Sequence, residues 1–318
     1  MSADFSALGF RVGHETNMAG ATGVTVFRAD GAFRAAAAVL GRATGTRELD
    51  ALDPEHLVER VDAIVLTGGS AYGLGAADGV MRWMEERGRG YDVRVGVVPI
   101  VPAAVIFDLG PLGDARARPT PEMAYAACDR VAGRFDEGSV GAGTGATVGK
   151  AAGIEHAMKG GVGGHVVTAG TVSVGAVVVV NALGDVRDGD GRIIAGARGD
   201  GGGFVDGATL IASGAAAGPR PAGGNTTLAI IATNASLSRI QLRQVARAAG
   251  AGLSRRITPV GTSFDGDVIF AAGPLEGVAA PPIQVEAMAV AALEQAIERA
   301  VRAARGRDGV PGLADSER

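Results

Sequence analysis

The chain carries one cysteine, four histidines and few aromatic residues, 4% in all. Cys128 stands alone, so no intrachain disulfide framework holds the fold, and a reducing compartment is the simpler expectation. One cysteine and four histidines are too few for a Cys/His-rich zinc site. Long apolar runs are missing too: the stretch 174–180 is far too short to span a bilayer. The opening Met1-Ser-Ala-Asp-Phe5 lacks a basic segment followed by an apolar one, so no secretory signal is visible. Neither charge sign dominates, with 30 Lys and Arg against 34 Asp and Glu. A net charge of −4, well mixed, points away from nucleic acid and from anionic membranes as partners. A soluble, cytoplasmic protein is the expectation.

What is present is enough for a large core: 318 residues, 47% hydrophobic and 20% charged, a composition unlike that of disordered chains. Alanine, glycine and valine abound. Small side chains bury little area each, and many such chains cover their remaining apolar surface by self-association, so a homo-oligomer is expected. Apolar, β-branched runs at 63–67, 95–98, 172–181, 227–233 and 268–271 read as buried strands. Tyr72, Leu74, Ala77, Val80, Met81 and Met84 recur at helical spacing. Ser238 with Gln241 makes a capping box for a helix that should stop at Gly250. Residues 283–305, after Pro281-Pro282, form the longest helical pattern, with Arg299, Arg302 and Arg305 suited to a helix C-terminus. Strands and helices alternate throughout, which argues for a layered α/β fold in one domain, 1–318. The polar tail after Gly306 should fray.

Residues 195–224 depart from this pattern. Rich in Gly, Ala and Pro, they read as a flexible linker that runs straight into Asn225-Thr226-Thr227, the start of a strong strand. A threonine hydroxyl needs a base, and a threonine that begins a chain supplies its own α-amine, whose pKa of about 7.7–8.0 suits that task. Scission between Asn225 and Thr226 would expose that amine. Alternatively, Asn-Thr-Thr simply opens a strand.

Three other features bear on the choice. Asp265-Gly266-Asp267 precedes an apolar strand, and the glycine lets two carboxylates approach without crowding. Such carboxylates can orient a nucleophile and assist proton transfer; a polar turn is the plain alternative, and a calcium loop would need more oxygen ligands. The glycine-rich run from Gly138 to Lys150 resembles a phosphate-binding loop, but only three residues separate Gly145 from Gly149, and Lys150 is followed by Ala151. It reads instead as a turn that delivers Lys150 to a reaction centre, where its charge tunes its neighbours. Asn181 closes the strand 172–181 and is either an oxyanion donor or an ordinary strand-end residue.

Together these segments resemble the L-aminopeptidase/D-esterase family of self-processing hydrolases. The resemblance rests on Val12-Gly13-His14, the stretch from Leu66-Thr-Gly-Gly to Trp83, the loop 138–150, Lys159-Gly-Gly, Asn225-Thr-Thr with Ala232-Thr-Asn-Ala235, and Asp265-Gly-Asp-Val-Ile-Phe270, in the family's order over nearly the whole chain. Within it the chain is most similar to 6-aminohexanoate-oligomer hydrolases, whose pattern is a threonine after asparagine with Asp-Gly-Asp about forty residues on. The resemblance implies an αββα sandwich, a tetramer-like homo-oligomer and no metal or organic cofactor. It also implies self-cleavage into 1–225 and 226–318 and hydrolysis of linear amides of ω-amino acids. It would make Thr226 the nucleophile, Asp265 and Asp267 its carboxylate partners, Lys150 a supporting cation and Asn181 the oxyanion donor. Phe107 departs from the pattern where some members carry tyrosine; Phe107 and Tyr72 are candidate substrate contacts. Three other functions stay open: an aminopeptidase or β-aminopeptidase, an acetyl-transferring relative (whose Met-Ala-Thr context is absent before Thr226), and a non-catalytic assembly protein.

Overall fold

The computed structural model describes residues 3–110, 112–215 and 224–317. Its organising strand is Thr22–Val39, eighteen residues long. The first half pairs with Phe10–Asn17 on one side and Val61–Thr67 on the other. The register then shifts between Arg28 and Phe33, and the second half pairs with Val268–Pro274. From there the sheet runs on through Thr226–Thr233, which is parallel to Val268–Pro274, to Val172–Asn181 and Gly161–Ala169. One strand thereby serves two sheet layers.

Period-two alternation sorts the side chains between them. Val177, Val179, Leu228, Ile230 and Phe270 join Phe27, Ile64, Leu66 and Ala104 in one core. Six of the nine phenylalanines lie in this inter-sheet core, so the few aromatics are spent where two flat faces must be filled. The opposite faces meet helices. α1 (Ala77–Glu85) and α2 (Pro121–Asp129) cover Val24, Val26, Ala63 and Val65. After the short α3 (Gly207–Ala212), α4 (Arg239–Arg256) and α5 (Pro282–Arg302) cover the other alternation of the far strands, Ala176, Val178, Ala229, Ile231 and Ile269. The order helices, sheet, sheet, helices is the αββα sandwich.

Several local expectations need correction. Residues 95–98 are not a buried strand: only Val97–Val98 pairs, with Tyr91–Asp92, and Val95 is 95% exposed. The carboxylate of Asp92 accepts from the Arg94 amide at 2.8 Å, so this short apolar run is spent on a turn. The helical pattern after Gly69 begins as a 3-10 segment, Ser70–Ala76, before α1. Both halves of the Ser238–Gln241 capping box form, but α4 passes through Gly250. A glycine inside a helix costs about 1 kcal/mol relative to alanine. Here a Cβ on Gly250 would lie 3.2 Å from the Leu40 side chain, and one on Gly252 3.1 Å from the Val290 carbonyl, so both glycines serve close packing. The tail is also anchored over its described part. The Asp315 carboxylate accepts from the amides of Gly306 (3.0 Å) and Gly312 (2.8 Å), and the Pro311 carbonyl from the Lys159 amide at 2.9 Å.

The expected linker is anchored over its described part. Ile193–Ala195 pairs with Asp185–Arg187, and buried Asp185 accepts from the amides of Ala197 (2.8 Å) and Gly207 (2.7 Å). The Asp206 side chain caps α3 through the Thr209 amide at 2.9 Å. The Pro219-Arg-Pro stretch falls within 216–223, outside the described residues. Among the described residues no helix is long and apolar enough to cross a membrane.

Candidate active site

Thr226 opens its strand on the parity of Leu228 and Ile230, and it lies opposite Asn181 in the antiparallel register. Both side chains therefore look toward the gap between the sheets, and both are buried. The Asn225–Thr226 junction lies beside Asp265, with which Asn225 forms a parallel bridge. The Thr226 hydroxyl donates to the Asn225 carbonyl oxygen at 2.6 Å. The Gly266 amide donates to the same oxygen at 2.9 Å. A carbonyl that receives two donors is polarised toward attack, and the amide remains in place as negative charge develops.

Gly266 is required twice. A Cβ there would sit 2.8 Å from the Thr226 hydroxyl and 2.6 Å from the Ala43 carbonyl, so any side chain would displace that hydroxyl or the backbone beneath it. The flanking carboxylates do not touch the hydroxyl. Asp267 accepts from the amides of Thr227 at 2.6 Å and Gly261 at 3.1 Å; Asp265 accepts from the Thr262 amide at 2.7 Å. They hold the backbone on both sides of the junction. Burial pushes Asp267 up to about 7, the nearby Asp265 charge adding to it and the two amides and Lys150 opposing it. Asp265 is raised for the same first reason, burial. Two buried carboxylates this close resist ionising together.

Lys150 follows the glycine-rich loop. Gly149 turns the chain with φ 70°, and a Cβ there would meet the Gly196 backbone at 2.1 Å. The Lys150 ammonium donates to the Asn181 carbonyl and side-chain oxygens, at 3.1 Å each, and to the Gly224 carbonyl at 2.7 Å. Burial lowers its pKa to about 7 against the pull of Asp265 and Asp267. The Asn181 side-chain oxygen also accepts from the Thr147 amide at 3.0 Å. Its Nδ2 donates to the carbonyls of Phe107 at 3.1 Å and Gly224 at 3.4 Å, rather than to Asn225.

The structure thus gathers Thr226, Asn225, Asp265, Asp267, Lys150 and Asn181. Phe107 joins through its backbone carbonyl. Tyr72 stands apart: it is 63% exposed, with the Arg118 guanidinium 3.5 Å above its ring. Gly266 and Gly224 are the participants that side-chain reasoning passes over, because each acts through its backbone. Among the described residues no group of three His, Cys, Asp or Glu converges as a metal ion would require.

Comparison with known proteins identifies the family. The model of peptidase family S58 matches residues 7–313. An uncharacterized aminopeptidase of Mycobacterium leprae is 41% identical, over 92% of this chain and 85% of its own length. A 6-aminohexanoate-oligomer endohydrolase of a Kocuria species is 32% identical, over 84% and 73%. With the solved structure of L-aminopeptidase D-Ala-esterase/amidase from Ochrobactrum anthropi, described as a new variant among the Ntn-hydrolase fold, the match has a TM-score of 0.70 at 22% identity, covering 98% of this chain and 90% of that one. The chain therefore belongs to peptidase family S58, enzymes of the N-terminal-nucleophile hydrolase fold that act on amide bonds.

Proposed function

We propose that the chain cuts itself between Asn225 and Thr226 and then hydrolyses linear amides of ω-amino acids, 6-aminohexanoate oligomers among them, through an acyl-enzyme on Thr226. The observation that carries this reading is the Thr226 hydroxyl, 2.6 Å from the Asn225 carbonyl oxygen that also receives the Gly266 amide. In the first step the Thr226 oxygen bonds to the Asn225 carbonyl carbon, and its proton passes to the departing nitrogen. The C–N bond breaks, leaving Asn225 esterified to Thr226 and a free α-amine. Water then breaks the ester, giving the Asn225 carboxylate and restoring the hydroxyl. The new amine serves afterwards as the base for substrate.

The threonine with Asp265-Gly-Asp267 matches the oligomer-hydrolase pattern and supports that substrate class. A second reading, removal of N-terminal residues from short peptides, is favoured by the 41% identity to a mycobacterial protein described as an aminopeptidase. We take the working form to be a homo-oligomer of the tetramer type, supported by exposed Leu57, Ile240 and Ile283, and to be cytoplasmic, supported by the free thiol of Cys128. Product sizing separates the two substrate readings. Internal cuts in 6-aminohexanoate oligomers, giving mixed shorter oligomers, are expected; stepwise release of single N-terminal residues would favour the second. A fully processed protein that hydrolyses neither contradicts both.

A further inference from the structure

The second half of the strand Thr22–Val39 has a neighbour on one side only. Val268–Pro274 pairs with it there, while on its other side Val61–Thr67 stops with Val61 opposite Phe33. Among the described residues no strand continues along that edge. The Leu40 amide donates to the Asp267 carbonyl at 2.9 Å, in the register that pairs Val39 with Val268. Bonding in an antiparallel ladder alternates residue by residue, so Ala37 and Val39 turn their N–H and C=O groups outward. Residues 35–40 carry neither charge nor proline, the usual means of blunting an open edge.

A cavity of about 620 Å³ runs along this edge, with Ala37, Val39 and Leu40 as its floor. Leu49 and Leu52 wall it on the face of the inter-sheet core, and Arg243 and Arg247 of α4 on the other. Asp50 and Asp53 complete the rim. Arg243 and Asp53 meet each other at 3.5 Å, whereas Arg247 and Asp50 have no ion partner among the described residues.

We infer that this groove binds an extended linear amide chain with charged ends, taken up as an added strand. Its amide groups pair with Ala37 and Val39, its apolar stretches lie on Leu40, Leu49 and Leu52, its carboxylate meets Arg247 and its ammonium Asp50. The volume is that of a small-molecule site, roughly 300–1,000 Å³, and walls on both faces of the edge favour a slender ligand over a second copy of the chain. The groove is apart from the Thr226 cluster and stands whether or not Thr226 is the nucleophile.

The test is calorimetric titration of the full-length Thr226→Ala chain with the linear trimer of 6-aminohexanoate and with the same trimer as its C-terminal amide. The trimer should bind, and the amide at least about tenfold more weakly, as for one lost charge-assisted contact. Arg247→Glu should weaken the trimer by a similar factor and erase the difference between the two probes, while Arg247→Lys should stay within a few-fold. Hydrogen exchange should slow in the peptide covering 35–41 when the trimer is added. No binding at millimolar trimer, binding without protection at 35–41, or equal affinity in Arg247→Glu would overturn the inference. So would protection at 35–41 that rises with protein concentration and not with trimer, which would make a second copy the occupant.

Discussion

Two buried polar clusters flank the glycine-rich loop, and each combines a lysine, aspartate and threonine. In one, Lys159 donates to the carbonyls of Thr144 and Ala146 at 2.8 and 2.6 Å. Asp108 there accepts from the Thr22 hydroxyl and the Gly69 amide at 2.7 Å each. The other is the Thr226 cluster. Burial lowers both lysines to about 7, so a displaced pKa does not tell catalysis from scaffolding. What differs is the use made of the groups. Lys159 and Asp108 hold fixed backbone, and the Thr22 hydroxyl is committed to a carboxylate. In the Thr226 cluster two carboxylates crowd one another, and the hydroxyl is spent on the carbonyl of the bond beside it. One cluster is a closed network; the other holds a hydroxyl against the carbonyl of its own preceding peptide bond.

The largest effect should come from Gly266→Ala. Its Cβ would intrude on the Thr226 hydroxyl, and self-cleavage followed by gel time course should slow at least about 100-fold, the range for a disrupted oxyanion donor. Thr22→Val, the matched change in the other cluster, should leave cleavage within a few-fold and lower the melting temperature. Unchanged cleavage in Gly266→Ala would dissolve the distinction between the clusters.

The two lysines provide a second contrast. Lys150→Met should slow cleavage about 100-fold, a loss of the size expected for one removed charge-stabilising donor, with little change in melting temperature. Lys159→Met should do the reverse, because two buried carbonyls lose their donor at about 1–3 kcal/mol each. Thermal melts and cleavage time courses on both variants check this, and parallel losses would contradict it.

A smaller effect concerns pH. Asp267 has a folded pKa near 7, above its ordinary value of 3.8, so the folded state holds that proton more tightly than the unfolded state. Its contribution to stability is present below the unfolded pKa and is lost as pH rises through 7. In an uncleavable Thr226→Ala background, adding Asp267→Asn should therefore change the melting temperature more favourably at pH 8 than at pH 4, by several degrees. An equal change at both pH values would mean that the carboxylate is not strained.

Much of this site was legible because its side chains sit at strand ends. The strand Val172–Asn181 ends where its apolar run ends, and Thr226 and Asp267 stand just where apolar strands begin, so topology aligns their termini. The αββα layering followed from the family resemblance, while alternation within single strands gave only a layered α/β fold. Other features depend on contacts distant in sequence. Gly250 reads as a helix stop until Leu40 is seen packing against it. The tail beyond Gly306 reads as frayed until Asp315 closes on it. Asn181 was expected to serve the oxyanion, yet its Nδ2 is held by Phe107 and Gly224. The donor at the Asn225 carbonyl is the Gly266 backbone, and a backbone amide has no letter of its own in the sequence.

An intact-mass spectrum of the purified protein beside its Thr226→Ala variant tests the central claim most directly. Two fragments matching residues 1–225 and 226–318 in the wild type, with a single uncut chain in the variant, are the predicted result. A wild-type chain that stays whole, or a variant cut at the same bond, would contradict Thr226 as the self-released nucleophile.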